Sequence, residues 1–183
     1  MNELIAWLGG ASALLLASLP VSAQHPPETT ERVLTLQSAG VDHIHSRLGD
    51  GKLTLIGEQG RTDVEVVANI HHYAEESILL SLENLNGEAR LEGGFIEGDY
   101  SGNAPSMDVT IKVPMRFSAA VRHAHGAVTV QDLEGMVSIE TGSGDIEVKN
   151  VGGVRIEHQS GGKVSTKNIQ GPVRISQRRA GAM

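Results

Sequence analysis

A chain of 183 residues with 22 glycines, 3% aromatic residues and a formal charge of −7 has room for one domain and favours tight turns over long helices. The acidic balance excludes a nucleic-acid surface, which needs a basic stripe to displace counterions. With no cysteine, disulfides and an acylated lipoprotein anchor are excluded as well, so stability has to come from packing and hydrogen bonding.

Residues 4–19 carry no charge and are rich in Leu and Ala. Pro20 ends the run, and Val21-Ser22-Ala23 places small residues where a signal peptidase cuts. This reads as a signal peptide over 1–23, cleaved before Gln24, although its start, Met1-Asn2-Glu3, lacks the usual Lys or Arg. The apolar run is short for a membrane span. The expected destination is the periplasm or the cell exterior. Residues 24–31 read as a flexible leader, 32–175 as the β-repeat domain and 176–183 as a tail, whose Arg178 and Arg179 lie close to Arg174.

The first strand-like runs are 33–36, 52–56, 64–67 and 78–82, bounded by Gly, Asp and Asn. A glycine-rich loop, 93–102, is expected to join two strand-rich halves. Residues 108–113 lead through Pro114 into a repeat. GAVTVQDLEG (126–135), GDIEVKNVGG (144–153) and GKVSTKNIQG (162–171) align without gaps at a spacing of 18.

Alternation within each unit predicts inward columns of Val128, Ile146 and Val164; of Val130, Val148 and Thr166; and of Leu133, Val151 and Ile169. Gly126, Gly144 and Gly162 open the units, and Gly135, Gly153 and Gly171 close them. Asp132, Asn150 and Asn168 form a column of residues that tolerate left-handed backbone at a corner. The predicted fold is all-β: a single-stranded β-solenoid with coils of about 18 residues in the C-terminal half and a less regular β-rich N-terminal half. The rival is an antiparallel sandwich of the same strands.

The run VTIKVP (109–114), the glycine-cornered repeats and TGSGDIEV (141–148) resemble the bacterial putative-adhesin family of β-strand-repeat domains. The resemblance spans 33–175 and departs from the family pattern at His158-Gln-Ser-Gly161. It implies a β-solenoid in an exported or membrane-tethered setting and brings no catalytic residues with it.

Candidate chemistry is sparse. His43 and His45, or His123 and His125, share a face if each segment is a strand, and His71 is followed by His72. His123 and His125 are the candidates for weak Zn²⁺ or Cu²⁺ binding, though a metal site needs three or four converging ligands. The register sets His158 in one column with Thr141 and His123, two coils or about 9–10 Å from His123. Gly142-Ser-Gly-Asp145 precedes a strand, so it is a corner and not a phosphate cradle. The carboxylates Asp132, Glu134, Glu140, Asp145, Glu147 and Glu157 are scattered among Lys, Arg and Thr without the paired spacing of a glycosidase.

The expectation is therefore a non-enzymatic, adhesion-like or protein-binding module of the bacterial envelope. It has no cofactor, no nucleic-acid partner and no membrane span in the mature chain. An unidentified envelope or surface protein is the expected partner, and self-association through the ends of the coil stack is open to it. The alternatives are a polysaccharide-active enzyme, with Asp132 or Glu147 as candidates, and a weak histidine-based metal binder.

Overall fold

A computed structural model describes residues 28–73, 77–96 and 104–177 of the chain. The expected signal peptide lies outside these residues. The strands are β1 (Glu28–Gln37), β2 (His43–Asp50), β3 (Leu53–Glu58), β4 (Asp63–His72), β5 (Ile78–Leu85), β6 (Glu88–Phe95), β7 (Ser106–Pro114), β8 (Ser118–His125), β9 (Val128–Ser143), β10 (Ile146–His158), β11 (Val164–Ile169) and β12 (Val173–Gln177). β1 begins inside the segment read as a leader, because Glu28–Glu31 pair with His72–Asn69 of β4. Gly93 and Gly94 belong to β6 rather than to a loop.

All twelve strands form one sheet, and its path runs β1-β4-β7-β3-β9-β8-β2-β6-β5, with β10, β11 and β12 stacked beyond β9. β9 turns a corner in mid-strand. Val128–Gln131 pair with β3, whereas Val137–Thr141 and Ser143 pair with β8. β10 turns the same corner, so β9 and β10 each contribute to two opposed faces. β1 lies against β5 at the far end, and the sheet is nearly closed and barrel-like.

The all-β expectation matches this architecture; the single-stranded solenoid does not. A coil that only winds makes parallel pairs alone, whereas β1 with β4, β4 with β7 and β5 with β6 are antiparallel. The β5–β6 reversal has a local cause. Asn86 and Gly87 take φ values of 55° and 83°, the pair of left-handed residues that a tight hairpin turn demands.

Within residues 126–177 the strands do stack at the spacing of the repeat. Ile146 lies between Val128 and Val164, Val148 between Val130 and Thr166, and Val151 between Leu133 and Ile169. The first two columns continue through β3, where Leu53 meets Val128 and Leu55 meets Val130, and on to Val109 and Ile111 of β7. Leu53, Leu55, Ile111, Val130, Ile146 and Val148 are all buried, and Phe117 and Ile139 fill the core beside them.

Both sets of repeat glycines are sites of close approach. At Gly144 (φ 115°) a Cβ would sit 2.0 Å from the Gly126 carbonyl oxygen, and at Gly126 (φ 129°) 1.7 Å from that of Gly51. The closing set is less regular than its spacing suggests. A register shift between Val151 and Gly153 puts Gly153 opposite Met136, and Gly152 lies against the Glu134 carbonyl instead. Gly171 in turn lies on Gly152.

Candidate functional site

The corner that ends β8 separates the histidines put forward as metal ligands. His123 is buried and donates from Nε2 to the Gly51 carbonyl at 2.9 Å, whereas His125 is exposed, with Nδ1 2.7 Å from an Asp50 carboxylate oxygen. Burial lowers the His123 pKa below its ordinary value, against the opposing hydrogen bond to Gly51 and the charge of Asp50. His158 lies one strand beyond Thr141, which lies one strand beyond His123. His72 caps the sheet end through Thr30, at 2.8 Å, and His71 through Thr29, at 3.0 Å. Among the described residues no three His, Asp or Glu side chains gather to hold a metal ion.

The carboxylates considered for glycan chemistry are taken up in the framework. Asp132 holds a left-handed corner (φ 61°) and accepts from Asn150 Nδ2 at 2.7 Å, and Asn150 accepts in turn from Asn168 at 3.0 Å. Asp145 accepts the backbone N–H of Lys163 at 2.8 Å, closing the next glycine corner. Glu147 pairs with Lys149 at 2.7 Å and Glu140 with Arg122 at 3.2 Å.

The outward face of β6, β2, β8, β9 and β10 carries what these structural roles leave over. Strand register sets Arg90, His45, Ala120, Ser138 and Arg155 in one row, and Glu92, Arg47, Arg122, Glu140 and Glu157 in the next. Ala120 and Ser138 are small, so they floor a shallow depression of about 350 Å³. His45, Arg47, Arg90, Glu92, Arg122 and Glu140 stand around it.

Glu88 lies 3.4 Å from His45 and 3.6 Å from Arg90. The His43 and His45 rings lie 4.6 Å apart, tilted by 45°, and burial, followed by the like charge of His45, lowers the His43 pKa. Arg47 is exposed beside Arg122 and Glu92 in its row and makes no ion pair or side-chain hydrogen bond among the described residues. Arg47 and Arg90 are 43 residues apart, and no local motif links them. They meet because β2 lies between β6 and β8.

No family model matches the chain, and no curated protein matches it in sequence. Solved structures do. The chain is similar to a putative cell adhesion protein from Clostridium sporogenes, at 13% identity and a TM-score of 0.52, over 82% of this chain and 100% of that one. A putative adhesin from Parabacteroides distasonis is 8% identical over 76% of this chain and 65% of its own, with a TM-score of 0.40. One from Bacteroides fragilis is 12% identical over 83% of this chain and 100% of its own, with a TM-score of 0.31. At such identities the likeness to the Clostridium protein is one of fold. Among the described residues no helix is long and apolar enough to cross a membrane.

Proposed function

We propose that the chain is an exported, non-catalytic, adhesion-like module of the bacterial cell envelope, and that it meets its partner on the outward face of β6, β2, β8 and β9. One observation carries the choice of face: Arg47 stands without an ion pair at the rim of a depression that Arg90, Arg122 and His45 also line. An exposed guanidinium with its donors unspent suits a planar, bidentate acceptor, so the contact group is a carboxylate, on an acidic protein surface or an acidic glycan. The adhesion-like role draws support from the shared fold and from the structural use already made of the carboxylates a hydrolase would need. Export draws its support from residues 1–23.

An array of carboxylated and neutral glycans and of acidic and neutral peptides, probed with the purified chain, tests this reading. Binding should favour the carboxylated set and drop about tenfold in Arg47→Ala, the loss of one charge-assisted pair. Equal binding by wild type and variant would remove the face from consideration, and cleavage of any arrayed glycan would overturn the non-catalytic reading.

A further inference from the structure

Among the described residues, the two ends of the strand stack carry unpaired edges of opposite net charge. At one end, among the described residues, β11 and β12 pair only with β10. Val173 and Ile175 of β12 are 48% and 50% exposed, although their counterparts one strand inward, Val154 and Ile156, are 1% and 0% exposed. From residue 158 to residue 177 the chain holds Lys163, Lys167 and Arg174 and no carboxylate. This end therefore has an open apolar interior, a basic rim and two rows of unpaired backbone N–H and C=O groups.

At the other end, among the described residues, β1 pairs only with β4, and β5 only with β6. Leu34, Leu36, Leu80 and Leu82 are only partly buried there, and Val33 and Leu79 are more than half exposed. Glu28, Glu31 and Glu83 lie on these two strands with a single cation, Arg32, so their net charge is negative. Strand directions permit both pairings, one parallel and one antiparallel. Two antiparallel steps separate β1 from β7, so β1 runs parallel to the set β7, β3, β9, β10 and β11. One antiparallel step separates β5 from the set β6, β2, β8, β9, β10 and β12.

We infer that copies of this chain associate head to tail, with β11 and β12 of one copy continued by β1 and β5 of the next. A second copy supplies in one contact the strand hydrogen bonds, the apolar cover and the acidic side chains that the basic end lacks. A lipid surface offers no ordered row of alternating donors and acceptors to continue a strand edge. A tail-to-tail pair sets Lys163, Lys167 and Arg174 against the same charges. Because the two edges lie at opposite ends of the stack, a heterologous contact between them extends a row instead of closing a pair.

Sedimentation velocity of the purified chain over a concentration series tests the inference. The expected result is a weight-average mass that keeps rising past the dimer and falls back when salt screens the charged rims. Ile175→Lys blocks one end and Leu80→Lys the other. Each variant alone should stay monomeric, and an equal mixture should stop at a dimer, because only one complementary pair of ends remains. If either variant misfolds by circular dichroism, Arg174→Glu and Glu83→Lys replace it: each should weaken association, and the double variant should restore it. A wild type that stays monomeric at roughly millimolar concentration, a Leu80→Lys variant that dimerises alone, or a double variant weaker than both single ones overturns the proposal.

Discussion

Single side chains hold the corners of this fold, and Asn150 does so in two ways. Its backbone is left-handed (φ 52°), and its amide donates to Asp132 and accepts from Asn168, linking three consecutive corners. Left-handed backbone costs most residues roughly 1–2 kcal/mol, and asparagine less because its short side chain bonds locally. Asn150→Ala should therefore lose about 2 kcal/mol, and Asn150→Gly, which regains the backbone but not the ladder, about half of that. Urea midpoints of the two variants check this, and equal losses would show that the amide ladder contributes nothing.

His123 makes the fold sensitive to acid at the residue scale. Its pKa falls below 6.5 in the folded state, so at mildly acid pH the unfolded chain binds more protons than the native one. The stability this residue contributes is complete above its unfolded pKa and is lost as pH falls through the folded one. Asp50 and His125 face the same corner and act on His123 through their charge. Denaturation midpoints between about pH 7.5 and about pH 5 should fall more steeply for the wild type than for His123→Gln, which keeps a donor for Gly51 without the titration. Parallel profiles would locate the acid sensitivity elsewhere.

At the scale of the element, glycines that share a positive φ differ in what surrounds them. Gly144 (φ 115°) has the Gly126 carbonyl where a Cβ would go, whereas Gly40 (φ 74°) has nothing within 4 Å. Gly144→Ala should unfold the corner or cost at least about 3 kcal/mol, while Gly40→Ala should cost about 1 kcal/mol, the left-handed penalty alone. Thermal midpoints of the pair separate strain from crowding, and similar losses would mean that the stacked corners yield.

The repeat elements are legible in the sequence because the inward columns hold apolar residues, Thr166 excepted, at a fixed spacing. β2 and β8 are far less legible. Their inward positions include Ser46, Ala119 and His123, so alternation gives little signal. The Asn86-Gly87 reversal was there to be read, and it would have shown the antiparallel β5–β6 pair directly. The depression around Arg47 was not, since it exists only through pairings between distant strands.

For the whole molecule, the interleaving of the two halves matters more than the repeat. β3 lies between β7 and β9, and β2 between β6 and β8, so strands from residues 28–96 are inserted among those from 104–177. Removing the first half would leave Val128–Gln131 of β9 paired on the β10 side alone and would expose Val128, Val130 and Val121. A sheet built this way has few local contacts with which to begin folding and no sub-core that closes alone. The fragment 104–177 should therefore show no strand signal by circular dichroism, although it contains the whole repeat. In the full chain, Leu55→Ala in β3 and Val148→Ala in β10 should each cost about 2–4 kcal/mol and shift one and the same transition, since both side chains pack in one continuous column through Val130. Two separable transitions, or a repeat fragment that folds without the first half, would show that the C-terminal strands form a unit of their own and that the inserted strands merely decorate it.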